Sequence, residues 1–328
     1  MTQRQTNTGA SGTLRTGYLY GLGAYGMWGL FPLFFALLVP AGALEVIAHR
    51  AWWALVFSLI AIVLTGRMRS LGQAFRDWRL FGILSLAGLL QAGNWTIYVW
   101  AVLNGHVLEA SLGYFINPLV TVLLAIIFLR ERLTILQVIS LVVAAVAVAV
   151  FVIDAGRPPF ISLGLAFSFG LYSLVKKQVG LKVGALQGLT VETLAVAPFA
   201  LGYMGYLAVQ GTSSLQKISE GGAEVTALGT HGALLVLSGF ITLVPLVFFA
   251  LAARMLPLST VGMMQYMTPF MQFLLGWLVF GEQLSTLRWT GFFLIWAAIA
   301  VLTVHIVVST RTQHFQQHPR SDLPPSTT

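Results

Sequence analysis

Residues 109–133, EASLGYFINPLVTVLLAIIFLRERL, decide the reading of this chain, because a second version of the stretch occurs near the other end. A shift of 151 positions carries Pro118 onto Pro269, Leu123 and Leu124 onto Leu274 and Leu275, Glu131 onto Glu282 and Leu133 onto Leu284, without a gap. Each copy is an apolar run of helical length with a proline near its middle and a glutamate just past its end. One segment has been used twice, and the repeat bears on function as well as fold.

The composition sets the solvent. Of the residues 57% are hydrophobic and only 9% are charged, against about a quarter charged in an ordinary soluble domain. The formal charge of +8 sits largely in short connections between apolar runs, where lysine and arginine report membrane orientation rather than nucleic-acid binding. With no cysteine in the chain, disulfides and thiolate metal sites are excluded.

Roughly 20 apolar residues cross a bilayer, which places spans near 18–38, 44–65, 80–102, 106–129, 135–153, 160–177, 185–208, 231–252, 258–280 and 286–308. The expected fold is an all-α integral membrane protein with ten transmembrane helices. Residues 1–16 and 309–328 are polar, lack apolar periodicity and are expected as disordered cytoplasmic tails. With the N-terminus inside, only Arg157, Lys217 and Arg288 among the loop cations fall outside, so both termini are expected in the cytoplasm. Pro118 then lies on a helix running inward and Pro269 on one running outward. Residues 17–153 and 154–308 thus form two inverted five-helix repeats, with weaker echoes in Gly26 and Trp28 against Gly170 and Tyr172. Such repeats favour a site at their interface that opens alternately to either side.

Candidate site residues follow from depth and polarity. Helix-interior proline removes the donor for the carbonyl four residues earlier, here Tyr114 and Gln265. At membrane depth a freed carbonyl is tolerated only against protein or a wet cavity, so Pro118 and Pro269 are read as kinks bordering a central cavity. Arg50, beside His49, and Glu192 are ionisable groups within apolar helices, which are costly unless they face a partner or water. Inversion puts them at opposite depths, which leaves Glu109 or Glu45 as the better partner for Arg50; architectural pairing weighs as much as a substrate or proton role. Asn94 and Tyr98 share a helix face, with Gln91 before them, and Tyr114, Asn117, Gln265 and Thr268 offer similar chemistry on the proline helices. Trp28 and Tyr172 do so at matching points of the first and sixth helices. A cavity lined this way suits small amphipathic or aromatic solutes. Trp52, Trp53 and Trp289 read first as interfacial anchors, and Glu131 and Glu282 as charges at the starts of the helices that follow them. No HExxH, GxSxG or Walker A pattern is present, so neither metalloprotease, serine hydrolase nor ATP-driven pump chemistry is indicated.

Leu108 to Leu119 (LEASLGYFINPL), together with EVIAHRAWW, NWTIYVWAV, LGLAFSFGLYSLVKK and STVGMMQYMTP, resembles the RarD branch of the EamA family, within the drug/metabolite transporter superfamily. The resemblance covers about residues 17–308. It implies a permease of the bacterial inner membrane with two EamA repeats working by alternating access. Arg50, in AHRA, and Glu192, in VETL, match family positions. The expected function is secondary active transport of a small organic solute, a drug or metabolite carried outward, with no enzyme activity. A lipid flippase and a non-transporting sensor are the rival readings. No cofactor is expected, and a proton gradient is the candidate energy source. Expected partners are a small-molecule substrate and membrane lipids, with a homodimer left open and no nucleic acid.

Overall fold

The computed structural model describes residues 6–129, 134–179, 183–221, 228–256, 260–261 and 264–317. All regular elements among the described residues are helical: α1 (Thr6–Gly29), α2 (Phe31–Ala36), α3 (Ala43–Leu64), α4 (Met68–Arg76), α5 (Trp78–Leu103), α6 (Val107–Leu129), α7 (Ile135–Ala155), α8 (Phe160–Val179), α9 (Ala185–Gln210), α10 (Ser214–Ser219), α11 (Leu228–Met255), α12 (Met267–Leu274), which runs into a π-helical turn over Leu275–Val279, and α13 (Thr286–Gln317). Among the described residues, seven helical stretches are long and apolar enough to cross a membrane: Arg15–Ala36, Ala43–Leu64, Trp78–Leu103, Ile135–Ala155, Ala185–Ser219, Leu228–Met255 and Thr286–Val304. Phe160–Lys176 and Met267–Val279 are shorter apolar helices. The outer surface is apolar too, with Leu64, Ile135, Phe199 and Val209 largely exposed. Water would penalise such a continuous surface and lipid does not. The chain is a multi-pass membrane protein.

Local chemistry explains the helix ends. Asp77 caps α5 by accepting the Leu80 N–H at 3.0 Å, and Thr134 with Gln137 forms a capping box at the start of α7, satisfying donors that helix starts leave free. The connection between α5 and α6 is tight because Gly105 adopts a positive φ of 71°, which glycine alone does cheaply.

Three expectations change at the helices. The first span is not continuous: α1 stops at Gly29 and α2 restarts after Leu30 with Pro32 in its opening turn, where a missing N–H costs nothing. The expected helix over 258–280 is interrupted by a turn at Gln265 and Tyr266. Pro269 therefore falls in the first turn of α12 rather than mid-helix, and the Gln265 carbonyl, expected to be orphaned, accepts the Thr268 N–H at 3.3 Å. Pro118, in contrast, lies inside α6. Helical backbone also extends into both stretches expected as tails, from Thr6 in α1 and to Gln317 in α13.

Packing follows a pattern. α1 packs on α11 and α12; α6 packs on α8 and α12; α5 packs on α8 and α9; α3 packs on α9 and α11; α7 packs on α13. The largest apolar core joins α6, α7, α12 and α13 around Phe273 and Phe292, whose rings meet at 4.6 Å. Two glycines set the closest helix approaches. Gly88 on α5 lies against the backbone of Glu192 on α9, and Gly239 on α11 lies against the backbone of Trp53 and Ala54 on α3. Small residues at such crossings are how helices associate when lipid removes the hydrophobic drive. Gly88 and Gly239 are separated by the same shift of 151 positions as the two prolines.

Candidate functional site

The candidate residues collect in three groups. In the first, α3, α5 and α6 bring Arg50, Asn94, Tyr98 and Tyr114 together. Arg50 is 3% exposed, and its Nε donates to Thr242 Oγ1 on α11 at 2.7 Å. Its guanidinium carbon lies 4.1 Å from the Trp95 ring centroid, 5.2 Å from that of Phe31 and 5.4 Å from that of Phe35. Such a desolvated cation over aromatic faces gains about 2 kcal/mol, while taking the charge out of water costs several. The rings therefore offset only part of the cost.

Below the guanidinium the polar network is built by neighbouring turns. Asn94 Nδ2 donates to the Leu165 carbonyl at 3.0 Å and to Ser168 Oγ at 2.9 Å on α8. The Tyr114 hydroxyl donates to Asn94 Oδ1 at 3.4 Å. The Tyr98 and Tyr114 rings are 5.5 Å apart. Arg50 Nη1, the Tyr98 hydroxyl and Asn117 Oδ1 are buried without a hydrogen-bond partner. Unsatisfied buried polar atoms are uncommon and call for an explanation.

The second group lies on α8 and α9. Glu192 is paired with Lys176, whose ammonium lies 5.6 Å from the Tyr172 ring centroid. The third joins α1 to α12: Thr268 donates to the Tyr25 carbonyl at 2.9 Å, and Gln272 Nε2 to the Trp28 carbonyl at 3.1 Å. Trp28 packs on Tyr25 and Phe249. Gln265 is exposed in the turn preceding α12.

Two further clusters were not foreseen. Glu45 accepts both the backbone N–H and the hydroxyl of Ser214, each at 2.8 Å. Since that hydroxyl proton is committed, His231 Nε2, 2.8 Å away, must be the donor to Ser214 Oγ. This chain pins α10 between α3 and α11. At one end of the bundle a pocket of about 280 Å³ is lined by His106, Glu109, Arg157, Glu282 and Arg288 among others. Its charges are mutually engaged: Glu109 with Arg157 at 3.7 Å and His106 at 3.8 Å, and Arg288 with Asp154 at 2.7 Å.

These contacts correct the sequence reading of the charges. Neither Glu109 nor Glu45 partners Arg50, because one is held by Arg157 and His106 and the other by Ser214. Glu282 does not serve the helix that follows it, which Ser285 caps by accepting the Arg288 N–H at 3.1 Å. Its carboxylate instead accepts the N–H groups of Val107 and Leu108 at the start of α6, where the helix dipole favours an anion. Burial pushes the Glu282 carboxyl above its ordinary value, against the pull of those two donors and of His106. Glu131 lies outside the described residues. Trp289, read as an anchor, packs its ring against Phe273, Trp277 and Phe293.

Thr242, Ser168, Lys176 and the α2 phenylalanines were missed as members of the site. Thr242 carried a usable signal, since the shift that maps Pro118 onto Pro269 carries Gln91 onto it.

A model of the EamA-like transporter family matches residues 15–153 and again 159–304. The chain belongs to the EamA-like transporter family. A protein named RarD from Streptomyces exfoliatus is 46% identical over 289 residues, covering 88% of each chain. A protein named as an uncharacterized transporter from Pseudomonas aeruginosa is 44% identical over 296 residues, covering 89% of this chain and 94% of its own. Among solved structures, one crystal structure of a protein superimposes with a TM-score of 0.56 over 88% of this chain and 98% of its own, at 18% identity. That likeness speaks to the fold. The matching family is one of transporters and the Pseudomonas aeruginosa relative is named as a transporter, which points away from an enzyme.

Proposed function

We propose that this EamA-family chain is a secondary active transporter that exports a small organic solute, a drug or metabolite, by alternating access between two inverted repeats. The observation that carries the reading is the buried polar and aromatic cluster around Arg50, Asn94, Tyr98 and Tyr114. In a membrane interior such groups are expensive, and several of their polar atoms lack partners. A polar site with unmet hydrogen bonds, at the meeting of helices from both halves of the chain, suits a solute that comes and goes.

The packing supports the two-repeat, ten-crossing arrangement. Exchanging the first five crossings (α1, α3, α5, α6, α7) for the second (α8, α9, α11, α12, α13) turns each main contact into another: α6 on α8 becomes α12 on α1, α5 on α8 becomes α11 on α1, and α5 on α9 becomes α11 on α3. The pairs α3 with α9 and α7 with α13 map onto themselves. Repeats 17–153 and 154–308 related this way can rock about one fixed site. We place the chain in the bacterial inner membrane with both termini in the cytoplasm, and the charged pocket near Arg157 and Arg288 at the outer mouth of the path. A proton gradient is the energy source we favour.

The chain has no cysteine, so single introduced cysteines report accessibility without background. Cysteine at Asn94 or Tyr114 should react with an impermeant thiol reagent from either membrane face, in proportions that shift when solute is added. Labelling from one face only, unchanged by every solute tried, would count against alternating access.

A further inference from the structure

We infer that the transported solute is anchored by a negative charge. This inference rests on the transporter reading above and narrows it to a substrate class. Among the described residues every carboxylate apart from exposed Glu220 has a task away from Arg50: Glu45 holds Ser214, Asp77 caps α5, Glu109 faces Arg157 and His106, Asp154 holds Arg288, Glu192 holds Lys176 and Glu282 caps α6. Arg50 is left as a buried guanidinium with a hydroxyl and three rings for company.

The donors and acceptors around it do not balance. A guanidinium has five N–H donors and no acceptor. One donor is satisfied by Thr242, while Nη1 and the Tyr98 hydroxyl are buried without partners. The Asn94 side-chain oxygen of the same network accepts the Tyr114 hydroxyl and makes no hydrogen bond to Arg50 Nη1. Arg50 therefore has neither an acceptor for Nη1 nor, among the described residues, a counter-charge; the unpaired amide oxygen of the group, on Asn117, is neutral and out of hydrogen-bond reach of it. A carboxylate supplies both, and arginine matches its geometry with paired hydrogen bonds.

The second half of the chain shows the contrast. Gly42-Ala43-Leu44 recurs as Gly184-Ala185-Leu186, which sets Glu192 at the position matching Arg50, and there it is neutralised by Lys176 on α8. Under the correspondence of Trp28 with Tyr172, Lys176 matches Pro32 in the first half, which cannot pair with anything. One half carries its own counter-charge and the other does not.

We propose that Arg50 binds the carboxylate of the solute, that the Tyr98 hydroxyl donates a second hydrogen bond to it, and that Trp95, Phe31 and Phe35 pack against an apolar or aromatic body. The substrate class is then small organic carboxylates, in preference to cationic or neutral amphipaths. Inorganic anions carry the same charge without an apolar body, so the aromatic wall assigns the organic source.

The test uses the full chain in lipid nanodiscs and matched probes that differ only in charge: phenylacetate, phenylacetamide and phenethylamine, the corresponding aliphatic set built on hexanoate, and inorganic phosphate. Binding is read by calorimetry. A carboxylate should bind about ten- to a hundredfold tighter than its amide, the range for a charge-assisted hydrogen bond. Arg50→Gln should abolish that preference and leave the amide unchanged, and Tyr98→Phe should weaken the carboxylate severalfold. Where Arg50→Gln fails to fold, Arg50→Lys and the wild-type carboxylate-to-amide ratio decide the matter. Equal affinity across each matched set, a preference that survives Arg50→Gln, or phosphate binding as tightly as the organic acids would each overturn the proposal. Counterflow measured in parallel separates the two claims: flux of neutral solutes without anion preference keeps the transporter and removes the anion site, whereas anion binding that never yields flux does the reverse.

Discussion

Replacing Gly88 or Gly239 by alanine tests the helix packing on which the site depends. A Cβ on Gly88 would lie 2.8 Å from both the carbonyl carbon and the Cα of Glu192 and nearer still to its oxygen. On Gly239 it would overlap the backbone carbon and Cβ of Trp53 and the Ala54 nitrogen. Apart from the Trp53 Cβ, which is fixed to its own backbone, these are main-chain atoms of packed helices, so the clash is relieved only by moving a whole helix. Overpacking of this kind costs about 1–3 kcal/mol, and the upper end applies because no side chain can swing away. Alanine's better helix propensity returns up to about 1 kcal/mol, leaving a net loss of about 2 kcal/mol. At roughly 2–4 °C per kcal/mol, the melting temperature should fall by about 4–8 °C. Gly82 and Gly202 are the controls: both are helical and a Cβ on either meets nothing within 4 Å. Alanine there should be neutral or slightly stabilising. The assay is thermal unfolding of purified protein in one detergent, followed by tryptophan fluorescence. If Gly88→Ala and Gly239→Ala melt with Gly82→Ala and Gly202→Ala, the close approaches do not set the packing.

Breaking the Lys176–Glu192 pair by Lys176→Met alone should cost about 3 kcal/mol, because it strands a buried carboxylate, while adding Glu192→Gln should recover most of the loss; a double-mutant cycle on melting checks this. Thr242→Val removes the acceptor of the Arg50 Nε–H and should weaken solute binding or transport about tenfold, with Thr242→Ser near wild type in the same flux assay. Glu282→Ala should cost about 1 kcal/mol by uncapping α6. Its pH dependence has a definite sign: burial holds the folded carboxyl above the ordinary 4.5, so the proton-linked share of its stabilisation is full below that value and is lost as pH rises through the raised one. The melting gap between wild type and Glu282→Ala should therefore narrow from pH 4 to 7, and a widening gap would refute the assignment.

The membrane class was legible because lipid imposes long apolar helices on the sequence itself. The proline stretch exposed the duplication because both copies kept their spacing over 25 residues without a gap. What the sequence misjudged was local geometry. Pro269 looked equivalent to Pro118, yet a turn at Gln265 and Tyr266 moved it to a helix start, and periodicity cannot report such a break. Arg50 was legible as a costly buried charge, but its surroundings were not. Partners for it were sought among acids by depth, whereas the fold supplies a threonine far along the chain and three rings. Hydroxyls such as Thr242 and Ser168 carry little pattern in an apolar helix, because they can satisfy themselves on their own backbone. Glu282 shows the same limit: a charge at a helix start was foreseen, and which helix depended on tertiary contact.

Solute counterflow in proteoliposomes tests the central claim most directly. Vesicles holding the purified chain and a high internal concentration of unlabelled solute are given trace labelled solute, across a panel of carboxylates, their amides, amino acids and amphenicols. Transient, saturable accumulation of at least one compound above empty vesicles is expected, lost in Arg50→Gln when that compound is a carboxylate. No accumulation of any compound by protein shown to be folded would contradict it.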